Sequence, residues 1–399
     1  MKGQRLAVAL AAVWAANPYP VPAATDQVVI GDIDDMSGVY ADVLGAAGIE
    51  AVNMAIADFG GSALGKKITV LSADHQNKPD IGASKFRQWA DENGLTLLLG
   101  GSNTGVNIAM AKVAAAKKVP LFVIGAGGAS LTNEDCTAYT VHYVYDTTAL
   151  ANGTATAIIN AGGKSWFYLT ADYAFGTQLQ NAASKVVETH GGKNVGAVRV
   201  PLGAADFSSF LLQAQASGAQ VLGLANAGTD FSNSLKAANE FGITRSMKPA
   251  ALLAFLTDIH SLGLQTAQGL YLTTGWYWDL SPETRAFAKR FFAKVNREPT
   301  MDQAGIYSAT LTYLRAVKAV GSTDSDKVMA ELKRTRINDL FAKDGYIRAD
   351  GVMIHEMYVM QVKSPQESKY PWDYYKVIRR MSGEEAFGPI TGLCPLTHK

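Results

Sequence analysis

Residues 96–130, TLLLGGSNTGVNIAMAKVAAAKKVPLFVIGAGGAS, decide the fold of this chain. They read as a buried strand over 96–99, a glycine-rich loop, a helix over 106–117 and a second buried strand over 121–124 that ends in another glycine-rich loop. Two short apolar strands joined by a helix are the unit from which parallel sheets are built. This stretch therefore predicts an α/β fold.

The same two patterns alternate along the rest of the chain. Further short, mostly apolar strands are predicted at 28–30, 68–72, 165–170, 195–200, 221–225, 250–254 and 269–274. Helical spacing of apolar residues separates them, at 47–59, 81–93, 178–189, 207–217 and 231–241. Two longer helices, 282–296 and 301–320, precede strand-like pieces at 345–348, 353–362 and 374–378. This order predicts parallel sheets covered by helices.

The length and a weak internal repeat indicate two lobes. A chain of 399 residues exceeds what one hydrophobic core usually holds. Residues 28–61 contain a strand, an aromatic-bearing loop and a helix that ends in two glycines, and residues 166–192 repeat that order. The repeat predicts two lobes of similar plan, although a generic βα architecture would give the same pattern.

A secretory signal is predicted at the N-terminus. Lys2 and Arg5 precede an apolar run at 6–16 that is too short to span a bilayer, and residues 21–23 follow as a cleavage site. We therefore predict a signal peptide over 1–24. The alternative, a buried N-terminal helix, is opposed by the helix-breaking residues Pro18, Pro20 and Pro22.

Charge and cysteine content narrow the classes of function. Removing residues 1–24 takes away two basic residues and no acidic one, which changes the formal net charge from +1 to −1. A near-neutral chain without a basic run argues against a nucleic-acid partner. In an exported chain, Cys136 and Cys394 are predicted to form a disulfide, with two free thiols as the alternative.

The loops after the strands carry the candidate binding residues, because ligands of open parallel sheets lie at the carboxyl ends of strands. The loops GGSNTG (100–105) and GAGGAS (125–130) are each predicted to open a helix, whose free N–H groups and positive dipole end suit a carboxylate. Ser102, Asn103 and Thr104 are candidates for this role. Alternatively they cap the helix at 106–117, which is compatible with anion binding.

Known enzyme motifs are not found in the sequence. Residues 125–130 lack the third glycine of a dinucleotide fingerprint, and residues 101–104 do not fit a nucleophile elbow. His355-Glu356 lacks the second histidine of a zincin, and the six histidines have no metal-ligand spacing. We expect no catalytic residue, no cofactor and no metal. An active site that these motifs do not describe is the alternative.

Five segments, in order, are similar to those of the type I periplasmic solute-binding proteins of ABC transporters, in the branch that includes the leucine/isoleucine/valine-binding protein. They are IDDMSG (33–38), GGSNTG (100–105), VPLF (119–122), DYAFG (172–176) and ANEFGI (238–243). The resemblance covers essentially the whole chain after the signal. It implies two Rossmann-like α/β lobes with parallel sheets, joined by three hinge crossovers and closing on a small ligand.

The resemblance also implies how the chain is divided. Crossovers are expected near Tyr145, Thr274 and Arg348. Lobe 1 then comprises residues 26–145 plus 275–347, and lobe 2 comprises residues 146–274 plus 348–399. A monomeric, non-enzymatic receptor is implied, which works in the periplasm and delivers its ligand to an ABC transporter permease.

The resemblance further implies a carboxylate site. In amino-acid-binding relatives, the ligand carboxylate meets the positions of Thr104 and Gly125, with Ala126 and Gly127 in the same backbone segment. The partners of the ligand ammonium are absent from this sequence, because leucines stand where an acid is expected and Ala227, next to Asn226, stands where a tyrosine is expected. Burying an ammonium without partners would cost several kcal/mol. Asp230 is the residue best placed to supply the missing counter-charge.

Aromatic residues fill the rest of the predicted site: Tyr40, Tyr145, Tyr173, Phe175 and Phe255. Segments 142–147, 172–176 and 275–279 are also similar to the branch that binds lignin-derived aromatic acids. The predicted ligand is therefore an aromatic carboxylate, such as a benzoate or cinnamate derivative. Core packing is the alternative for each aromatic. His142 either meets a ring hydroxyl or is structural, and Trp276 and Trp278 are expected to pack the hinge.

The sequence also leaves three other hypotheses open. The first is that the ligand is a branched-chain amino acid or a small amide. The second is that the chain is a secreted α/β hydrolase or oxidoreductase, and the third is that it is the sensor domain of a signalling protein.

Overall fold

The computed structural model describes residues 27–397 of the chain, and the predicted signal peptide lies outside them. The described part is an alternating α/β structure. Its strands are β1 (Val29–Asp34), β2 (Ser62–Ala63), β3 (Lys66–Lys67), β4 (Thr69–Asp74), β5 (Leu97–Gly100), β6 (Leu121–Val123), β7 (Thr140–His142), β8 (Ser165–Ala171), β9 (Lys193–Val200), β10 (Val221–Ala225), β11 (Lys248–Ala251), β12 (Tyr271–Thr274), β13 (Tyr346–Ile347), β14 (Met353–Ile354), β15 (Met357–Val362) and β16 (Tyr375–Met381).

Helices cover the strands. They are α1 (Gly45–Phe59), α2 (Pro79–Glu92), α3 (Thr104–Lys117), α4 (Thr147–Asn160), α5 (Ala174–Thr189), α6 (Ser208–Ala216), α7 (Thr229–Glu240), α8 (Leu256–Leu262), α9 (Leu264–Ala267), α10 (Pro282–Val295), α11 (Met301–Val320), α12 (Ser325–Arg334) and α13 (Gly383–Phe387). No helix among residues 27–397 is long and apolar enough to cross a bilayer.

Two parallel sheets form the two halves of the molecule, as the alternation predicts. The first has the order β4-β1-β5-β6-β7, and the second has the order β11-β10-β8-β9. Counted along the chain within each sheet, the first strand lies between the second and the third: β1 lies between β4 and β5, and β8 lies between β9 and β10. The strand order therefore repeats. This topology confirms the predicted repetition of the lobe plan. The inner strands are buried because helices cover both faces, whereas the edge strands β4 and β9 are partly exposed.

A third sheet extends the second half. Its order is β12-β15-β16, and all of its pairings are antiparallel. The strand-like piece predicted at 353–362 is therefore two strands, because β14 ends at Ile354 and pairs with β13, while β15 begins at Met357 and pairs with β12.

Some local predictions were wrong. The loop at 125–130 opens only a short 3₁₀ helix, Ala129–Thr132, so it offers no helix dipole there. Helix α5 begins at Ala174 rather than at residue 178, and β11 is Lys248–Ala251 rather than the predicted 250–254. Strand β7 and helices α4 and α12 were not predicted at all.

The disulfide prediction is confirmed. Cys136 and Cys394 are bonded, with their Cα atoms 5.6 Å apart and a sequence separation of 258 residues. The bond joins the C-terminal segment to the loop that precedes β7.

The lobe boundaries remain a proposal. Val352 still bridges His142 of β7 in the first half, and the first pairing with the second half is that of Met357 with Met381 of β16. We therefore propose that the third crossover lies at His355-Glu356, a few residues after the predicted Arg348. We propose the other two crossovers near Tyr145, which follows β7, and near Thr274, the last residue of β12.

Candidate ligand-binding site

A small cavity lies between the two lobes, at the carboxyl ends of the parallel strands. Eleven of the twelve predicted binding residues line it: Tyr40, Ser102, Asn103, Thr104, Gly125, Ala126, Gly127, Tyr145, Tyr173, Phe175 and Phe255. Val43, Ala227 and Leu253 complete the lining and were not predicted to bind.

Residues 125–127 present backbone N–H groups as free donors. The carbonyls of this segment are already occupied: those of Gly125, Ala126 and Gly127 accept from the Tyr145 hydroxyl (2.8 Å), His142 Nε2 (2.6 Å) and the Thr147 N–H (2.8 Å). The N–H groups of the same three residues have no acceptor among residues 27–397. A site with its donors open and its acceptors occupied favours an anionic group.

Thr104 adds a hydroxyl donor. Its Oγ1 accepts the Gly128 N–H at 3.0 Å, so the lone-pair side is used and the hydroxyl hydrogen is left for another acceptor. Capping of α3 is done by Asn103 instead, whose Oδ1 accepts the Val106 N–H at 3.1 Å. Asn103 therefore caps the helix, and the hydroxyl hydrogen of Thr104 is available to bind an anion.

Ser102 adds a second open hydroxyl. Its Oγ is buried and has no hydrogen-bond partner among the described residues. Its backbone is fixed from beneath, because Asp34 Oδ1 accepts its N–H at 2.6 Å and His75 Nε2 donates to its carbonyl at 2.9 Å. The hydroxyl is thus held in place without being satisfied, which is costly unless a ligand bonds to it.

His142 has a structural role and does not contact the cavity. Its Nε2 donates to the Ala126 carbonyl. Burial lowers the pKa of the His142 imidazole to about 4, so the ring is neutral at neutral pH. The ring therefore orients the 125–127 segment and does not supply a positive charge.

Rings and aliphatic groups form the opposite wall. Tyr173 and Phe175 have ring centroids 6.0 Å apart, and Tyr145 meets Phe255 edge-on with centroids 6.3 Å apart. Burial raises the pKa of the tyrosine hydroxyls at Tyr145 and Tyr173, so both stay neutral. A flat apolar ligand body would be enclosed by this wall.

No charged residue lines the cavity. Asp230, the candidate counter-charge, accepts the Gly203 N–H at 3.0 Å, and burial raises the pKa of its carboxyl. Asn226, the twelfth predicted residue, is not in the lining either, because its amide donates to the Asp230 carbonyl (3.2 Å) and Ser234 Oγ (3.1 Å). The described residues also contain no cluster of three or more potential metal ligands.

Hydrogen bonds across the cleft hold the lobes together. The Tyr40 and Tyr173 hydroxyls are 2.6 Å apart, and the Val39 carbonyl accepts the Thr229 N–H at 3.0 Å. At the other end of the cleft, Gln178 of α5 bonds the Ser130 N–H and Oγ at 3.0 and 3.1 Å. The lobes are therefore closed on the cavity. Sequence reasoning missed Val39, Thr229 and Gln178, since pairing across a cleft leaves no pattern along the chain.

Comparison with known proteins agrees with this geometry. The sequence profile of a family described as "Periplasmic binding protein" matches residues 27–369. The chain is similar to the crystal structure of a periplasmic binding protein from Burkholderia mallei, with 58% identity, a TM-score of 0.92 and coverage of 94% of this chain and 100% of that one. It is also similar to a branched-chain amino acid ABC transporter periplasmic ligand-binding protein from Burkholderia xenovorans LB400, at 39% identity, TM-score 0.81 and coverage of 91% and 97%.

More distant similarities agree on the fold. A Leu/Ile/Val-binding protein homolog from Brucella abortus is 24% identical over 337 residues, which cover 82% of this chain and 85% of that protein. The solute-binding protein of an ABC transporter from Rhodopseudomonas palustris BisB5, in complex with 3,4-dihydroxy benzoic acid, has 21% identity, a TM-score of 0.81 and coverage of 90% and 98%.

Proposed function

Since this chain belongs to the periplasmic binding protein family, we propose that it captures a small aromatic carboxylate between its two lobes. Members of this family are the solute-binding components of ABC transporters, and they act in the periplasm with a membrane permease. The family thus gives the transport role. The chemistry of the cavity is what points to the kind of solute.

One observation carries the proposal: lobe 1 offers hydrogen-bond donors to the cavity, and no acid faces them. The donors are the backbone N–H groups of residues 125–127 and the hydroxyls of Ser102 and Thr104. A carboxylate accepts several such bonds, and hydrogen bonds to a charged acceptor are roughly twice as strong as neutral ones. A ligand with one carboxylate and no ammonium matches this lining.

The remainder of the cavity supports a ring. Four aromatic side chains on three separate segments, Tyr145, Tyr173, Phe175 and Phe255, line the cavity. Pairs of aromatic rings contribute about 0.5–1.5 kcal/mol beyond the area that they bury. A benzoate-like or cinnamate-like acid would use both halves of the site.

A branched-chain amino acid is the rival, and the description of the Burkholderia xenovorans protein favours it. Its ammonium would need an acceptor or an acid in the cavity. The carbonyls of residues 125–127 are already bonded, and Asp230 is outside the lining. The buried ammonium would therefore be left without a strong partner, at a cost of several kcal/mol.

Isothermal titration calorimetry of the purified protein tests the proposal with matched ligands. Benzoate against benzamide isolates the negative charge, benzoate against cyclohexanecarboxylate isolates the ring, and leucine represents the rival. We expect an aromatic acid to bind at micromolar affinity, about −8 kcal/mol, and benzamide and leucine to bind at least tenfold more weakly. Tight binding of leucine with no heat from any aromatic acid would overturn the proposal.

A further inference from the structure

Asn77 does not line the cavity, but it bonds to two loops that do. It follows β4 at the edge of the first sheet, in the connection to α2. One of the two is the loop 35–44 after β1, which we call the closing loop because its Val39 and Tyr40 bond lobe 2. The other is the segment 101–104 after β5, which we call the donor loop because it carries two open hydroxyls of the site.

The Asn77 side chain bonds both loops at once. Its Nδ2 donates to the buried Asp35 carboxylate at 2.7 Å, and its Oδ1 accepts the Asn103 Nδ2 at 3.1 Å. The direction of the two bonds is fixed, because a carboxylate only accepts and so takes the amide NH₂ group, which leaves the amide oxygen for Asn103. One amide group therefore joins the closing loop to the donor loop.

Each end of this link holds groups of the candidate site. In the closing loop, Asp35 also accepts the N–H groups of Gly38 at 2.6 Å and Tyr40 at 3.0 Å, so the loop is wrapped around its carboxylate. In the donor loop, Asn103 caps α3, and Thr104 is the first residue of that helix. The position of Tyr40 and the position of the Thr104 hydroxyl thus both depend on partners of Asn77.

Two asparagines of this link have a backbone conformation that is uncommon for residues other than glycine. Asn77 has a φ of +56° and Asn103 has a φ of +75°. Such strain persists only where the surrounding bonds fix it, and it concentrates at ligand sites. The Asn77 N–H donates to His75 Nδ1 at 3.0 Å, and His75 Nε2 donates to the Ser102 carbonyl at 2.9 Å. The buried His75 ring is therefore a second connection from Asn77 to the donor loop.

We propose that Asn77 is a positioning residue that couples the closing loop to the donor loop. When the lobes close, lobe 2 holds Tyr40, and the chain of bonds through Asp35 and Asn77 then holds the donor loop in place as well. Chains of hydrogen bonds between neighbouring elements carry energetic coupling of this kind. The coupling concerns the loops and not the chemistry of the solute, so it goes beyond the proposed function and does not require an aromatic ligand.

Hydrogen–deuterium exchange of the unliganded protein, followed by mass spectrometry, tests the coupling. Asn77→Gly removes the amide and adds no backbone strain, because glycine adopts a positive φ readily. We expect exchange in 35–44 and in 101–107 to become about fivefold faster, since each loop loses one hydrogen bond. Asn77→Asp places a second carboxylate beside Asp35 but can still accept from Asn103. It should therefore speed exchange mainly in the closing loop, and it also serves if the glycine variant does not fold.

Asn296→Gly is the matched control, because Asn296 is exposed and has nearly the same φ of +59°. It should leave exchange in both loops unchanged. Faster exchange in only one loop of Asn77→Gly, or in neither, would overturn the proposal. Equally faster exchange throughout lobe 1 would do the same, because it would indicate a general loss of stability in place of a link between two loops.

A double-mutant cycle by calorimetry with benzoate gives a second readout, and this one rests on the proposed function. Asn77→Gly should lower the affinity about fivefold in the unmodified protein, but less than twofold once Thr104→Val has removed a hydroxyl that the link positions. Additive losses would contradict positioning through the donor loop. If the unmodified protein does not bind benzoate, the proposed function is wrong, and the exchange experiment still decides whether Asn77 couples the loops.

Discussion

The two walls of the cleft differ although the sheets behind them share a strand order. Lobe 1 lines the cavity with loops whose backbone N–H groups and hydroxyls are open, and it fixes those loops from below with buried polar residues such as Asp34 and His75. Lobe 2 lines it with Tyr173, Phe175, Leu253 and Phe255, and with no charge. Two lobes with the same strand order therefore have different binding chemistry. The loops that follow the strands determine that chemistry, so each wall can be changed by substitution without changing the other.

The largest effect is expected where the walls touch. A Cβ atom on Gly228 of lobe 2 would lie 2.3 Å from the Val39 carbonyl of lobe 1, so Gly228→Ala should keep the lobes apart. We expect the ligand affinity measured by calorimetry to fall about 100-fold, near 3 kcal/mol, because the closed state is lost. Gly218→Ala is the control, since Gly218 has a similar positive φ of +67° and a Cβ atom there would have no neighbour within 4 Å. Equal losses in both variants would show that backbone strain, and not contact between the walls, is responsible.

The polar wall is tested by Thr104→Val, which removes the hydroxyl and keeps the shape. We expect the affinity for an aromatic acid to fall about tenfold, within the 1–3 kcal/mol typical of losing a hydrogen bond to a charged group. Thr104→Ser keeps the hydroxyl and should restore most of the affinity in the same titration. Unchanged binding of the valine variant would mean that the Thr104 hydroxyl serves only the Gly128 N–H.

A buried carboxyl group beneath the polar wall, that of Asp302, should make the stability of the protein depend on pH. Asp302 is fully buried, neither carboxylate oxygen has a partner among residues 27–397, and burial with the nearby Asp34 charge raises its pKa well above the usual value. The folded state therefore binds a proton that the unfolded state releases above about pH 4, so stability falls as the pH rises from there towards the folded-state pKa.

Asp302→Asn removes this titration. Urea unfolding at a series of pH values above 4 should show the free energy of unfolding of the unmodified protein falling relative to the variant as the pH rises, by at most about 1.4 kcal/mol per pH unit. Parallel pH profiles would contradict the raised pKa of Asp302.

The smallest effect is expected from the hydrogen bond that joins the walls, between the Tyr40 and Tyr173 hydroxyls. Tyr173→Phe should weaken ligand binding about fivefold, because a net hydrogen bond contributes about 1 kcal/mol and only the closed state has this one. A double-mutant cycle with Tyr40→Phe measures the coupling directly. Additive losses would mean that the two hydroxyls act on the ligand and not on each other.

The sequence predicted the sheets well because buried parallel strands are short apolar runs separated by glycines. It missed α4, whose residues are buried on nearly all sides and are mostly alanine and threonine, so no apolar stripe marks it. The short strand β7 was also missed, because its 3 residues are too few to show a strand pattern. The prediction of a helix after residues 125–130 was wrong because glycine loops that precede helices and glycine loops that precede single turns look alike.

The same limits apply to the site. Loop residues that follow strands could be predicted, since their place at the sheet edge follows from the topology. Asn226 follows β10 as expected, but its side chain bonds to Asp230 and Ser234 of α7 instead of lining the cavity. The local sequence pattern does not predict which rotamer a side chain adopts. Val43, Ala227 and Leu253 are unremarkable apolar residues that only the closed arrangement of the lobes brings together.

The disulfide between Cys136 and Cys394 has a consequence for biogenesis. Its two cysteines are 258 positions apart, and all of the chain between them must cross the membrane before the thiols can meet. The bond therefore fastens a structure that has already formed and cannot guide the early steps of folding. In the chain-entropy model, closing so long a loop lowers the conformational entropy of the unfolded ensemble by the equivalent of about 5.6 kcal/mol at 25 °C. A form with the two thiols reduced would therefore keep the same contacts but unfold more easily.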